Sequence, residues 1–357
     1  MKTLTIIATG LGGPAPDELL AMEKHDEYPR ISLFAKTLES ELLNERFLRQ
    51  VPGFRGRIYR HLPALLAQML EAYHLRHRYD VIITWAERLG YPFALLLKLT
   101  GSKTPHITLN SWISKPKKAR MLRFVEPQID RIILWSSVQR DFALRELKIS
   151  PSKIVLINWL VDQEFWRPIE RETGMICSAG SEMRDYLTLI EAMRGLDIPC
   201  HIAAGATRGK LFSTVKVLMD HGSIPANVTI GLKSYPELRD LYARSRFVVV
   251  PLLPNDADHG TTTMLEAMAM GKAVICSQTE GQVDVVRDGY NGIYVPPGDP
   301  PALRSAIERL WDQPELARRM GTNARKYILE HHTLERFANA VREVALDVIR
   351  EKERIGT

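Results

Sequence analysis

The chain has 357 residues, 45% of them hydrophobic and 25% charged, with a formal net charge of +6. This length predicts two domains, and the composition excludes disordered and fibrous proteins. No apolar stretch reaches the roughly 20 residues of a membrane-spanning helix. The glycine-ended start "MKTLTIIATGLGG" predicts a first β-strand rather than a signal peptide. The three cysteines show neither metal nor disulfide spacing, so we expect buried free thiols and a cytoplasmic location.

The first half of the chain alternates short apolar runs with helical patterns. The runs "TLTIIATG", "YDVIITWA", "TPHITLNSW" and "DRIILWSS" predict strands, and "LPALLAQMLEAYHL" predicts a helix. Alternation at this spacing is typical of parallel βαβ units. Residues 21–54 are polar and irregular and give no assignment.

The same pattern begins again near residue 170. Strands are predicted at "GMICSAGS", "PCHIAAG", "NVTIGL", "FVVVPLL" and "AVICS", with helices between them and three helical segments at the end of the chain. The sequence therefore predicts two doubly wound α/β domains in tandem. Ligands of such sheets bind beyond the carboxyl ends of the strands.

One such position carries "HGTTTMLEAMAMGKAVICS", which follows the strand "RFVVVPLL". Gly260 permits an unusual φ angle, and a threonine is predicted to cap the following helix. The free N–H groups and positive dipole of a helix N-terminus attract phosphate. With three hydroxyl groups as extra donors, Thr261–Thr263 is interpreted as a cradle for a diphosphate.

Glu266 has two interpretations. The spacing from Thr263 fits a capping box, in which the acid accepts a backbone N–H at the helix start. Alternatively, the carboxylate accepts hydrogen bonds from the vicinal diol of a ribose. The spacing by itself favours the capping box.

The stretch "FVVVPLLPNDADHGTTTMLEAMAMGKAVICSQTEGQVDVVRDGYNGIYVPPGDPPAL" resembles the signature of retaining, GT-B-fold glycosyltransferases of family 4 (glycosyl transferases group 1). The similarity covers about 150 residues, from near Ile176 to "ARRMGTNARKYI". It implies an α/β fold of two facing doubly wound, Rossmann-like domains with a C-terminal helix that crosses back to the first. The implied domains are an acceptor-side domain, a nucleotide-sugar-binding domain and the returning helix, at residues 1–165, 166–335 and 336–357.

The resemblance also implies the reaction. A hexosyltransferase of this kind moves a sugar from a nucleoside-diphosphate sugar, with retention, to a glycan, lipid-linked or small-molecule acceptor. No cofactor is expected, and the transfer is expected to be metal-independent.

By the same resemblance, Glu266 holds the nucleotide ribose and Asp258 contacts the donor sugar. Arg184 is assigned to the leaving diphosphate, and Asp258 and Arg184 are the predicted catalytic residues. Asp258 could instead be a solvated loop acid, and Arg184 could form a surface ion pair with Asp185 or Glu182. The full predicted nucleotide-sugar site is Gly12, Gly13, Gly180, Arg184, Leu232, Lys233, His259, Gly260, Thr261, Thr262, Thr263, Leu265 and Glu266.

Other features leave alternatives open. His106 is interpreted as a core residue, so no catalytic base is assigned. The basic stretches "KPKKARMLR" and "RGRIYRHLP" indicate either a solvated surface or peripheral contact with an anionic membrane, and no nucleic acid partner is expected. The alternative functions are a non-hydrolysing sugar-nucleotide epimerase and a non-enzymatic protein that binds anionic ligands.

Overall fold

The computed structural model describes residues 1–8, 14–204 and 224–356, with side chains as far as residue 354. The chain forms two compact units. The first contains Met1–Ala15, Ile31–Asn158 and Glu335–Thr357, and the second contains Pro16–Arg30 and Trp159–Leu334. The sequence places the first boundary after residue 165, whereas in the structure the second unit starts at Trp159 and includes a segment from near the N-terminus.

The first unit is built on a six-stranded parallel sheet of order β2-β1-β3-β4-β5-β6. Its strands are β1 (Thr3–Ile6), β2 (Ser40–Leu43), β3 (Val81–Trp85), β4 (His106–Asn110), β5 (Arg131–Leu134) and β6 (Ile154–Leu156). The four predicted strands are confirmed. Sequence reasoning missed β2 and β6 because both are short, partly exposed edge strands with weak hydrophobic patterns.

Helices connect these strands, as parallel pairing requires. After α1 (Pro16–Lys24), which is grouped with the second unit, they are α2 (Ser32–Thr37), α3 (Glu45–Gln50), α4 (Gly53–Tyr59), α5 (Ala64–Leu75), α6 (Glu87–Thr100), α7 (Pro116–Val125) and α8 (Ser137–Arg145). The segment left unassigned by the sequence thus holds α2, β2, α3 and parts of α1 and α4.

The second unit has another six-stranded parallel sheet, of order β12-β11-β10-β7-β8-β9. Its strands are β7 (Met175–Ala179), β8 (Cys200–Ala203), β9 (Val228–Ile230), β10 (Ser245–Val250), β11 (Ala273–Ser277) and β12 (Gly292–Val295). Its helices are α9 (Tyr186–Met193), α10 (Tyr235–Arg244), α11 (Thr261–Ala269), α12 (Pro300–Asp312) and α13 (Pro314–His331). Counted along the chain, this is the 3-2-1-4-5-6 order of dinucleotide-binding sheets, with its switch point between β7 and β10.

The last helix, α14 (Leu334–Gly356), is grouped with the first unit from Glu335 onwards. It buries one stripe, which includes Phe337, Val341 and Val348. The ring of Phe337 lies 6.0 Å from that of Trp85, and Lys352 Nζ lies 2.7 Å from an Asp130 carboxylate oxygen. The expected return of the C-terminal helix to the first domain is confirmed. No described helix is both long and apolar enough to span a bilayer.

Ion pairs explain why the segment around α1 belongs to the second unit. Arg30 donates through Nε and Nη2 to Asp162 Oδ1, at 2.9 and 2.6 Å. Asp26 lies 2.7 Å from Arg167 Nη2 and 2.9 Å from Arg239 Nη1. The hydrogen bond from Arg167 is the main cause that lowers the pKa of Asp26, although burial opposes it. These contacts hold an early segment of the chain against a unit formed mostly by its later half.

All three cysteines are buried free thiols, as expected. They lie in β7, β8 and β11, and burial raises the pKa of Cys177 and Cys276 to about 12.

Gly321 tests the packing of α13 in the second unit. A Cβ at this position would lie 2.1 Å from the carbonyl oxygen of Gly271. We expect Gly321→Ala to lower the free energy of unfolding by about 2 kcal/mol, because the backbone contact outweighs the roughly 1 kcal/mol that alanine gains in helix propensity. Urea denaturation measures this, with the exposed neighbour change Thr322→Ala as control, expected within about 0.5 kcal/mol of wild type. A Gly321→Ala variant as stable as wild type would contradict the packing.

Candidate active site

The candidate site lies at the carboxyl ends of β7 and β10, where the strand order of the second sheet reverses. The loops that follow these strands pair with each other. Leu253 N donates to Met183 O at 3.0 Å, and Asp185 N donates to Pro251 O at 3.0 Å. An isolated antiparallel bridge joins Arg184 to Leu252. Two loops that would otherwise be independent therefore form one support at the position where doubly wound sheets bind ligands.

The start of α11 depends on Gly260, which has a φ of +91°. A Cβ there would lie 2.9 Å from Val250 Cγ1, so only glycine fits without a shift. Gly260 is the N-cap, and Thr261 is the first helical residue. The expected unusual φ is confirmed, and the expected threonine cap is wrong, because the close approach to β10 leaves no room for a side chain at the cap.

The threonine hydroxyls are largely occupied by the protein. Thr261 Oγ1 donates to Asp258 O at 2.6 Å. Thr263 Oγ1 contacts Ala179 O at 3.4 Å. Thr262 is exposed, and its hydroxyl accepts from Trp159 Nε1 at 3.2 Å, which leaves its own proton available. Of the three hydroxyl groups interpreted as donors, only that of Thr262 therefore remains available in the described part of the chain. The backbone N–H groups of Thr262 and Thr263 in the first turn have no intrahelical acceptor, so they are the main donors at this helix end.

Arg184 lies across the carboxyl end of β7. Its Nε donates to Ala179 O at 2.9 Å, its Nη1 to the carbonyl of Glu182 at 2.8 Å, and its Nη2 to Thr263 Oγ1 at 2.9 Å. Gly180, with a φ of +94°, makes this possible, because a Cβ there would lie 2.4 Å from Nη2.

The described partners of this guanidinium are carbonyl and hydroxyl oxygens. The alternative of an ion pair with Asp185 or Glu182 is therefore wrong. Asp185 instead caps α9, where its carboxylate accepts from Thr188 N at 3.2 Å and from Thr188 Oγ1 at 2.7 Å. Since three of the five N–H groups of Arg184 are used, one remains on each terminal nitrogen within the described part of the chain.

Glu266 is buried in the second turn of α11, where its Oε2 accepts a hydrogen bond of 3.1 Å from Tyr242 Oη. Burial raises its pKa to about 8, while the Tyr242 hydrogen bond and the charge of Arg184 act in the opposite direction. The capping-box interpretation is wrong, because Glu266 is the sixth helical residue and faces α10. A capping box does occur nearby, between Ser234 and Glu237 at the start of α10.

The loop before α11 is held by polar side chains. His259 Nδ1 lies 2.9 Å from Asn255 Oδ1. Gln282 Nε2 donates to His259 O at 2.7 Å and to Thr261 Oγ1 at 3.0 Å. Asp258 is only partly exposed, and burial raises its pKa to about 6. The alternative of a fully solvated loop acid does not describe this environment.

The remaining predicted residues lie elsewhere. Leu265 is fully buried in the hydrophobic core of the second unit, so its side chain packs rather than facing a ligand. Leu232 and Lys233 are exposed after β9, at the edge of the sheet and two strands from β7. Gly12 and Gly13 lie outside the described residues.

His106 of the first unit is a core residue, as expected. Its Nε2 lies 3.0 Å from Thr84 Oγ1, and burial lowers its pKa to about 4. Among the residues that the structure describes, no group of three or more His, Cys, Asp or Glu side chains is placed to hold a metal ion.

Sequence reasoning missed two contributors to the site, Tyr242 and Gln282. Tyr242 is part of the apolar face of α10, and its partner in α11 is 24 residues later in the chain. Gln282 lies in the quoted "TEGQV" loop, but the motif alone does not reveal its two hydrogen bonds. Only the packing of the loop after β11 against Thr261 brings it to the site.

Comparison with known proteins agrees with this geometry. Residues 175–327 match the model of the family "Glycosyl transferases group 1". An uncharacterized glycosyltransferase of Methanocaldococcus jannaschii is 24% identical over 57% of this chain and 56% of its own length. The alpha-D-kanosaminyltransferase of Streptomyces kanamyceticus is 28% identical over 72% of each chain. The chain thus spans little more than half of the first relative and 72% of the second.

Solved structures share the fold over nearly the whole chain. Sucrose-phosphate synthase from Thermosynechococcus elongatus superposes with a TM-score of 0.75 at 18% identity, covering 98% of this chain and 99% of its own. Anabaena HepE, in complex with UDP and glucose, gives a TM-score of 0.72 at 16% identity, covering 97% of this chain and all of its own. At such identities the likeness shows the fold, which is the two-domain α/β GT-B fold. The family match itself covers residues 175–327, which lie within the second unit.

Proposed function

We propose that the protein transfers a sugar from a nucleoside-diphosphate sugar to an acceptor, with retention of configuration and without a metal ion. The second unit would bind the donor, and the first would take the acceptor. The observation that carries this proposal is the convergence of a cation, an open helix N-terminus and a buried acid at one switch point, in Arg184, α11 and Glu266.

The diphosphate is proposed to lie between Arg184 and the start of α11. Each terminal nitrogen of the guanidinium keeps one N–H, and Thr262 and Thr263 offer backbone N–H groups beside it. These donors are fixed by the bridge between the loops after β7 and β10, so they need not reorganise as charge develops on the leaving diphosphate. Such a set supplies positive potential without a metal ion. The UDP complexes of the structurally similar HepE support a nucleotide donor.

Glu266 is proposed to accept hydrogen bonds from the ribose diol. Its carboxyl group is buried but not fully occupied, since Tyr242 contacts only one of its oxygens. A buried acceptor with spare lone pairs favours a ligand that brings hydroxyl donors. Asp258, whose carbonyl accepts a hydrogen bond from Thr261 at the start of α11, is proposed to contact the donor sugar.

A panel of nucleotide sugars tests the reaction class. Release of free nucleoside diphosphate with one member of the panel, faster when an acceptor is added, is the expected result. Conversion of that sugar nucleotide to its epimer without release of nucleoside diphosphate would overturn transfer in favour of epimerisation.

Glu266→Gln is expected to weaken nucleoside diphosphate binding roughly tenfold. Hydrogen bonds to ionised groups are worth about 1.5–3 kcal/mol, against about 1 kcal/mol for neutral ones, and about 1.4 kcal/mol corresponds to one decade. Calorimetric titration above the pKa of Glu266, where the carboxyl group is ionised, measures the affinity. Glu237→Gln, which changes the true capping box of the same unit, is the matched control and should bind as wild type does. Equal affinities for all three proteins would remove Glu266 from the nucleotide site.

The buried Glu266 should also make stability depend on pH. The pKa of Glu266 is raised to about 8 in the folded protein, from 4.5 as its ordinary value. Between these values the folded chain holds a proton that the unfolded chain has lost, so the free energy of unfolding falls as pH rises, by about 1 kcal/mol per unit. We expect Glu266→Gln to remove this contribution. Urea denaturation from pH 5 to pH 8, about the interval given by the linkage, should show that the free energy of unfolding of the variant rises relative to that of wild type as pH increases. Parallel curves of free energy against pH would contradict the assignment.

Arg184→Lys is expected to weaken binding of the nucleoside diphosphate at least tenfold while leaving binding of the free nucleoside unchanged. Lysine keeps the charge but loses the planar fork that contacts protein and phosphate together, and a charge-assisted hydrogen bond is worth about 1.5–3 kcal/mol. Both titrations are made in excess EDTA, so that binding reports on the protein alone. Parallel losses for nucleoside and diphosphate would indicate a general distortion of the loop and not a phosphate contact.

A further inference from the structure

A surface of the first unit combines arginines with exposed apolar side chains. No Asp or Glu occurs between Glu45 and Glu71, a segment that contains five arginines. This segment forms α3, α4 and the first part of α5. Its exposed basic and apolar members form what we call the α4–α5 surface, which consists of Arg49, Phe54, Arg57, Ile58, Arg60, Leu65 and Leu66.

The apolar members of this surface are unusually exposed. Phe54 has 71% of its surface exposed, and Ile58, Leu65 and Leu66 have 40%, 39% and 46%. Single exposed apolar residues are ordinary on a protein surface, but a cluster of large ones marks a contact with a partner or a membrane. On α4, Ile58 lies four positions after Phe54 and therefore on the same helix face, and Leu65 and Leu66 follow within 13 positions in the first turn of α5.

The arginines of this surface are not neutralised by neighbouring acids. Arg49, Arg57 and Arg60 are exposed, and within the described part of the chain none forms an ion pair with a carboxylate. Several arginines of the late helices differ, since they pair with an acid one turn away, as in Arg304–Glu308, Arg318–Glu315 and Arg350–Asp347. The α4–α5 surface therefore keeps a local positive charge.

We propose that the α4–α5 surface docks on an anionic phospholipid bilayer. Apolar side chains in such a surface enter the boundary between headgroups and acyl chains, while arginines remain at the level of the lipid phosphates. Each basic residue near an anionic leaflet contributes attraction, and the phenylalanine adds buried apolar area. Both components are present on α4, where the guanidinium carbon of Arg57 lies 5.9 Å from the centre of the Phe54 ring.

Charge argues against a second copy of the chain as the occupant. In a two-fold symmetric dimer the same patch meets itself, which would bring Arg49, Arg57 and Arg60 towards their own copies without acids to compensate. An anionic bilayer complements both the charge and the apolar side chains. This inference rests on the first unit alone and is independent of the proposed transfer reaction.

Vesicle flotation tests the proposal with the intact protein and no nucleotide. The vesicles are phosphatidylcholine alone and phosphatidylcholine mixed equally with phosphatidylglycerol. We expect wild type to float with the anionic vesicles only. Arg57→Glu/Arg60→Glu should lower its partition coefficient at least about 30-fold, and Phe54→Ser about tenfold.

Two controls match these variants. Arg318→Glu/Arg319→Glu makes the same change in net charge on α13 of the second unit, and Leu99→Ser removes a 75% exposed side chain near the end of α6 in the first unit. Both should float as wild type does. Circular dichroism melting of every variant checks that the exposed substitutions leave the fold intact.

Three outcomes would overturn the proposal. Equal flotation with neutral and anionic vesicles would remove the electrostatic contact. Loss of flotation in the control variants to the same extent as in the test variants would show a response to overall charge or to another face. A wild-type dimer that Phe54→Ser dissociates, without vesicle binding, would assign the surface to a second copy of the chain.

Discussion

The second unit depends on one cation placed where two loops meet. Arg184 donates to the carbonyl oxygens of the loop after β7 and to Thr263 in α11, so it joins the first strand of the sheet to the helix that follows the fourth. It can do so because Gly180 adopts a positive φ angle and leaves no Cβ in the way of the guanidinium. A positive charge held by neutral oxygens keeps most of its attraction for an anion, whereas a carboxylate partner would have neutralised it.

The second group on which the site depends is the buried acid Glu266, which is costly to ionise. Placing Glu266 in the core of the second unit opposes its ionisation, and the hydrogen bond from Tyr242 and the charge of Arg184 offset only part of that cost. A chain selected for stability alone would place an apolar residue there. An acid that remains incompletely satisfied in the folded state is typical of a site that a ligand completes.

The first unit uses the same layers with a different winding. Its sheet reverses between β1 and β3, in the flavodoxin-like order, and not as the second sheet does. At its carboxyl edge an anion joins the loops, since Glu87 Oε1 accepts from Ser111 N at 2.8 Å and from Trp112 N at 2.5 Å. Lys118 approaches the same carboxylate at 3.4 Å.

Local periodicity was enough to predict most strands of the two sheets and the buried thiols, and Gly260 was enough to predict an unusual φ angle at the start of α11. The edge strands β2, β6 and β12 escaped prediction because their few residues carry too little pattern. The pairing of Arg30 with Asp162 escaped it because 132 positions separate them. Tertiary packing also set the contacts of the motif residues. Spacing alone allowed a capping box, but Gly260 as N-cap moves Glu266 into the second turn, where Tyr242 reaches it because α10 and α11 flank the same strand. Spacing fixes which residues share a helix face, whereas the chemistry at a sheet edge depends on loops that packing brings together from distant parts of the chain.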